Sequence, residues 1–137
     1  SILLEAGADL EARDKQGATA LFIAADNGQT EVVKTLIERG ANVDARDKEG
    51  ASALIWAAGQ GHEDVVELLL AHQADPNVQD ADGVTALMEA SATGKNASLV
   101  LLLKGGADPG LKDKKGRKAI DIAAKKGNHK AIALLSQ

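Results

Sequence analysis

Apolar residues recur along this chain every 33 residues, and within each period they have the spacing of helices. Leucine holds one such position four times, at Leu36, Leu69, Leu102 and Leu135. In the unit that starts at Asp47, an alanine-rich run at 53–58 precedes a glycine, and an apolar stripe at 65–70 follows it. The pattern predicts two short helices per unit, which bury their apolar faces only by stacking on neighbouring units.

Polar residues and glycines repeat at the same period and mark the ends of these elements. Aspartate opens a predicted turn in each unit and a glycine follows three residues later, at Asp14, Asp47, Asp80 and Asp113 and at Gly17, Gly50, Gly83 and Gly116. An aspartate side chain can accept from turn amides, and glycine tolerates the positive φ of a tight turn. In the second unit, Ser52 is the predicted N-cap of the first helix and Gly61 its predicted end.

The register divides the chain into one domain of stacked repeats over residues 1–137. Full repeats are predicted at 14–46, 47–79 and 80–112, with a partial repeat at 1–13 and a C-terminal capping repeat at 113–137. The last unit is rich in lysine, as expected of a terminal repeat whose outer face is wet. The N-terminal half unit has no such cap, which suggests a fragment or a missing first helix.

The motif that repeats along the chain resembles that of a known repeat family. The pattern Asp-x-x-Gly-x-Thr-Ala-Leu, Ala-Ala, Gly-His, Val-Val-x-Leu-Leu-Leu and Gly-Ala-Asp resembles the ankyrin repeat, in four registers over the whole chain. The resemblance implies an all-α solenoid of stacked helix pairs, with β-hairpin fingers and a concave groove between the fingers and the first helices. The family's usual histidine, credited with hydrogen bonds to the fingers, is replaced here by Phe22, Ile55, Met88 and Asp121.

Composition narrows the classes of function. Charged residues make up 26% and apolar residues 45% of the chain, as in soluble globular domains, and no apolar run approaches the ~20 residues that span a bilayer. Cysteine is absent, so disulfides and cysteine-ligated zinc are excluded. The first residues do not form a signal peptide. These features predict a cytoplasmic protein that does not enter a membrane.

The net charge of −4 conceals a gradient along the stack. Residues 1–79 carry 14 acidic and 6 basic side chains, whereas residues 80–137 carry 6 acidic and 10 basic ones. Such a dipole along the stacking axis can orient a charged partner.

Catalytic and metal-binding patterns are not found at useful spacings. His62, His72 and His129 do not pair with a serine or a second ligand, and His62 stands where the family uses histidine structurally. The repeated aspartates fit turns better than a calcium array, and no glycine loop has the pattern that binds phosphate. We therefore predict a protein that is not an enzyme and has neither a cofactor nor a metal.

Trp56 and Glu89 stand out because they occupy the same place in successive repeats, where the other units have isoleucine. Trp56 either packs between repeats or offers an aromatic contact in the groove. An unpaired buried carboxylate is costly, so Glu89 should either pair with Lys125 or Lys126 or face a ligand.

The family's variable groove positions fall here on finger residues and on the ends of first helices. Carried over onto this sequence, they predict fifteen partner-binding residues: Arg13, Gln16, Asp26, Asn27, Arg46, Glu49, Trp56, Gln60, Gln79, Asp82, Met88, Glu89, Thr93, Lys112 and Lys115.

The leading functional hypothesis is a monomeric protein–protein interaction module that binds a partner protein or peptide on this face. The acidic residues around Trp56 suggest a partner with a basic segment. One alternative is a regulatory fragment of a larger enzyme or channel. Another is anion or nucleic-acid binding through the eight basic residues between 112 and 130, although overall acidity and only two aromatic side chains argue against nucleic acid.

Overall fold

The computed structural model describes residues 12–136. The predicted partial repeat at 1–13 therefore lies almost entirely outside the described residues. Between 12 and 136 the chain forms eight helices in four consecutive pairs: α1 (Ala20–Asp26) and α2 (Thr30–Glu38), α3 (Ala53–Gln60) and α4 (Glu63–Ala71), α5 (Ala86–Thr93) and α6 (Asn96–Lys104), and α7 (Ala119–Lys125) and α8 (His129–Leu135).

The helix pairs stack in two layers. The first helices α1, α3, α5 and α7 pack each on the next, and so do the second helices α2, α4, α6 and α8. The core is the continuous seam between the layers, where Leu54, Leu69 and Leu102 are at most 1% exposed. Fully buried alanines such as Ala57 and Ala90 let neighbouring first helices approach closely. The predicted all-α repeat solenoid is confirmed.

Side-chain caps start the first helices. The hydroxyls of Thr19, Ser52 and Thr85 accept from the backbone amide three residues later, at 3.2–3.4 Å. The cap predicted at Ser52 is therefore confirmed. The fourth repeat lacks a hydroxyl at this place, and there the Asp121 carboxylate accepts from the backbone amide of Lys118 at 2.9 Å. Each helix thus gains a partner for an amide that its own backbone leaves unpaired.

The fingers are tight turns rather than stranded hairpins. In the second repeat, Asp47 Oδ1 accepts from the amides of Glu49 and Ala51 at 2.9 and 3.0 Å, and Gly50 has a φ of 79°. Among the described residues the only β pairing is an isolated bridge between Arg46 and Ser52. The expectation of β-hairpins is not supported in this part of the chain, because each finger is too short to form a ladder.

Backbone hydrogen bonds tie each described finger to the next, and side-chain hydrogen bonds reinforce two of these three junctions. Backbone amides donate to the preceding finger, as from Ala81 to the Glu49 carbonyl at 2.8 Å. Gln79 Nε2 in addition donates to the carbonyls of Gly83 and Lys112, both at 2.9 Å. Arg13 makes the equivalent pair of bonds to the carbonyls of Gly17 and Arg46. These contacts hold the row of fingers in a repeat that lacks the family's histidine.

Candidate functional site

The surface between the fingers and the first helices, called the groove below, exposes two large apolar side chains. Ile23 on α1 is 42% exposed and Trp56 on α3 is 38% exposed, and the rest of the large apolar side chains among residues 12–136 are more covered. The Trp56 ring meets the buried Phe22 ring edge-on, with centroids 5.6 Å apart and planes at 64°. Trp56 is thus anchored by packing on one side and open to solvent on the other.

A pocket of about 410 Å³, the central pocket, lies beside Trp56 between the second and third repeats. Its wall joins two fingers to the facing sides of α3 and α5. Six of the predicted partner-binding residues line it, namely Glu49, Trp56, Gln60, Asp82, Glu89 and Thr93, and Ala51, Ile55, Gly59 and Asp80 complete the lining.

A second pocket, the flanking pocket, lies on the other side of the indole and has a volume of about 350 Å³. Trp56 and Glu49 are common to both pockets. The flanking pocket contains two further predicted residues, Gln16 and Asp26, and it is completed by Asp14, Ala18, Phe22, Ile23 and Asp47. Together the pockets form an acidic surface with an apolar floor across the first three repeats.

The central pocket concentrates negative charge without a compensating cation. Four carboxylates line it, and none of its lining residues is basic. Asp80 is fixed by its turn, because its Oδ1 accepts from the amides of Asp82 and Val84 at 2.9 Å. The half-buried Glu89 has a raised pKa, first because burial removes water from its carboxylate and then because the negative charge of Asp80 repels it.

The structural alternative for Glu89 is not supported. Across residues 12–136, the one ion pair joins Arg117 to Asp113 at 2.8 Å, so the predicted pairing of Glu89 with Lys125 or Lys126 is wrong. Both lysines are exposed instead. The carboxylate of Glu89 is therefore held in the groove at an electrostatic cost that no cation in the described part of the chain offsets.

This cost leads to a stability prediction for Glu89→Gln. Since the folded-state pKa of Glu89 is raised, its ionised form opposes folding at neutral pH and this opposition is lost as the carboxyl becomes protonated. The variant should be more stable than wild type at pH 7, by less than about 1 kcal/mol because the group is partly solvated. The gain should disappear below pH ~4, under the unfolded-state pKa.

Urea denaturation across this pH range measures the effect. Glu67→Gln, on the exposed side of α4, is the matched control and should show no comparable pH-dependent gain. A Glu89→Gln protein that is less stable than wild type at pH 7 would show that a favourable partner of the carboxylate had been removed.

Gly59 allows the Glu89 carboxylate to lie close against α3. The equivalent positions of the other first helices hold Asp26, Ala92 and Lys125. A Cβ atom at Gly59 would lie 3.1 Å from Glu89 Oε2, closer than an ordinary van der Waals contact. A larger residue at this position would therefore displace the Glu89 carboxylate from its place on the floor of the central pocket.

Several predicted residues are placed outside the two pockets. Met88 is 1% exposed in the core of α5, so the expectation that it contacts a partner is wrong. Arg13 and Gln79 lie at the surface, but their side-chain donors serve the hydrogen bonds between fingers. Three further predicted residues, Asn27, Arg46 and Lys112, are exposed without lining either pocket.

The groove also contains residues that the sequence did not predict as partner-binding, among them Ile23 and Asp80. Ile23 shares the register of Trp56 and Glu89, and this signal could have assigned it to the groove. Asp80 was interpreted only as a turn residue, yet it both closes its turn and lines the central pocket. A turn aspartate has two carboxylate oxygens, so it can serve a loop and still present charge to the surface.

His62 has a structural contact. Its Nε2 lies 2.9 Å from the carbonyl oxygen of Asp26 and so connects the second repeat to the end of α1. Within residues 12–136, no group of three or more His, Cys, Asp or Glu side chains is arranged to hold a metal ion. Nor does any helix in that span have the length and apolarity needed to cross a membrane.

The basic C-terminal repeat offers a different kind of surface. Lys114, Lys115 and Arg117 line a smaller pocket of about 290 Å³ next to the last finger, and of these three Lys115 is a predicted partner-binding residue. The same pocket contains Asp82 and Asp113, and Arg117 is already paired with Asp113. Bonds from the Arg117 backbone amide above all, opposed by burial, lower the pKa of Asp113. Positive charge at this pocket is therefore partly neutralised.

The chain matches a known protein family along its length. A family model described as "Ankyrin repeats (3 copies)" matches residues 1–80 and residues 69–137, and the two overlapping matches together span the sequence. Among curated proteins, no sequence match to the chain was found.

Proposed function

The chain belongs to the ankyrin-repeat family, whose members generally bind other proteins, and we propose that it binds a basic segment of a partner protein in its groove. The observation that supports this proposal most directly is the combination found at the central pocket. An exposed indole lies beside four carboxylates in a pocket whose lining contains no basic residue. A surface of this kind matches a peptide with lysine or arginine side chains.

The aromatic and the acidic residues of the groove are expected to contribute differently to binding. Aromatic side chains at the centre of an interface commonly supply most of its binding energy, and Trp56 lies between the two pockets. Exposed carboxylates such as Glu49 and Asp82 contribute mainly to the rate of association and to the choice of partner. The apolar floor thus gives affinity, while the acidic rim selects basic ligands.

The charge gradient along the stack favours binding of a basic segment at the first three full repeats. The first three repeats present the acidic groove, whereas Lys114 and Lys115 on the last finger are exposed and would repel a basic segment. We therefore place the bound segment across the fingers and first helices of the first three full repeats. The groove would bind a basic segment in the same way if the chain is a regulatory part of a larger enzyme or channel.

The test uses charge reversal of the groove. Glu49→Lys combined with Asp82→Lys inverts two exposed charges, and the fingers use only the backbone groups of these residues. Wild-type protein is expected to bind lysine- and arginine-containing peptides from a defined array, more weakly as salt rises. The double variant should lose that binding by at least about tenfold.

A matched control separates local from overall charge. Glu31→Lys combined with Glu67→Lys makes the same change in net charge on exposed positions of α2 and α4. This control should retain most of the affinity. Equal losses in both double variants, or preferential binding of acidic peptides, would contradict the proposal.

Anion or nucleic-acid binding by the basic C-terminal repeat is the second candidate, supported by exposed lysines at 114, 115, 118, 125, 126 and 130. The partial neutralisation of Arg117 by Asp113 makes it the weaker one. Binding of a polyanion such as heparin with a steep salt dependence, abolished by Lys125→Glu and Lys126→Glu, would favour it.

A further inference from the structure

Resting on the proposed function, we infer that the central pocket is a subsite for one arginine side chain of the bound segment. The aliphatic part of that side chain would lie along Ile55, its guanidinium plane against Trp56, and its donors toward the carboxylate of Glu89. This assignment makes Glu89 a specificity-determining residue of the groove.

The first argument is the shape of the pocket. Its volume of about 410 Å³ lies in the lower part of the ~300–1,000 Å³ range of ligand pockets, as suits a single long side chain. On its floor the Glu89 carboxylate lies close against α3, because the facing position is Gly59 and a Cβ there would approach Glu89 Oε2 to 3.1 Å. Ile55 and Trp56 supply apolar surface along which the methylene groups of an arginine can pack.

The second argument is the unbalanced charge in front of that floor. Glu89 is half-buried, near Asp80, and has no ion pair in the span from 12 to 136. A carboxylate removed from water without a partner is unfavourable, and an incoming cation relieves both its desolvation and its repulsion from Asp80. The strongest attraction for a positive side chain in the groove is therefore at this point.

The third argument distinguishes arginine from lysine. A guanidinium is planar, stacks on aromatic faces and forms paired hydrogen bonds to carboxylates, and it is more weakly hydrated than an ammonium group. The central pocket offers an open indole next to carboxylates at two levels, Glu89 on the helix and Asp82 on the finger. Only the guanidinium can use the ring face and a carboxylate fork together.

The experiment uses one host peptide with three variants of its central residue. The probe is an eleven-residue glycine–serine peptide with four lysines, whose central position is arginine, lysine or citrulline, the neutral isostere of arginine. Trp56 is the only tryptophan of the chain, so its fluorescence reports directly on the pocket, and calorimetry gives the affinities.

Wild-type protein is expected to bind the arginine peptide at least about tenfold more tightly than the citrulline peptide and several-fold more tightly than the lysine peptide. Glu89→Gln should bind all three with affinities within about twofold of one another. Gly59→Ala should lose the same preference, because its Cβ would displace the Glu89 carboxylate, while alanine suits the interior of α3. Glu67→Gln should behave as wild type.

The outcomes separate the two proposals. If the peptides bind through their lysines but wild type does not prefer arginine, or if the preference survives in Glu89→Gln, the arginine subsite is refuted while the basic-segment proposal stands. Equal affinity for the lysine and arginine peptides also refutes it. If none of the three peptides binds wild-type protein, both proposals fail together.

Discussion

Replacing Leu102 with alanine is expected to lower the free energy of unfolding by about 2–4 kcal/mol. Leu102 is 0% exposed in α6, which packs against its own first helix α5 and against the neighbouring second helices α4 and α8. Truncation removes buried methyl groups and leaves a cavity that helices held on three sides cannot close. Chemical denaturation followed by circular dichroism measures the loss.

The repeat provides its own control for this effect. Leu135 has the same register in α8, but among the described helices α8 packs mainly against α6 and α7, and Leu135 is 9% exposed. The same substitution at Leu135 should cost clearly less, since a terminal helix can relax into the space. Replacement of the exposed Lys126 by alanine should change stability by less than about 0.5 kcal/mol. Similar losses at Leu102 and Lys126 would show that the buried face has been misassigned.

The second large effect is expected on binding. Trp56→Ala should weaken binding of a basic peptide by at least about 2 kcal/mol, or roughly thirtyfold, because it removes the aromatic wall common to both pockets. Isothermal titration calorimetry is the suitable measurement, since the variant has lost the only tryptophan of the chain. Some stability will also be lost, because the indole contacts Phe22 edge-on.

Two further variants separate binding from folding. Trp56→Phe keeps an aromatic ring and should restore most of the stability and part of the affinity. Ile23→Ala removes the other exposed apolar side chain, which lies in the flanking pocket only, and should have a smaller effect on binding. If Trp56→Ala binds basic peptides as wild type does, the groove cannot be the binding surface proposed here.

The groove also shows why stability and binding should respond in opposite directions at one residue. Glu89→Gln is expected to stabilise the fold slightly at neutral pH and to abolish the selection for arginine. A carboxylate that opposes folding, in a repeat whose neighbours hold apolar residues at the same place, is typical of a site shaped by ligand binding.

Much of this architecture could be predicted from the sequence because its causes are local. The 33-residue register specifies the helix pairs, the cap at Ser52 needs only an amide three residues away, and the turn at Asp47 is closed within the five residues 47–51. The same register placed Trp56, Glu89, Glu49 and Asp82 in one region, because equivalent positions of stacked repeats must be neighbours. Family membership, likewise, rests on motifs that are contiguous in the chain.

Other features depend on how side chains meet across the interfaces between repeats, which no local pattern specifies. Residues 33 apart are neighbours, yet whether a side chain turns into the seam or out of it depends on the helix orientation. The side chain of Met88 is buried in the core, while those of Trp56 and Ile23 are exposed to solvent. Gln79 reaches two carbonyls of neighbouring fingers, whereas Lys125 and Lys126 do not reach Glu89. These differences of a few ångströms separate an ion pair from an unbalanced charge, and they create the central pocket.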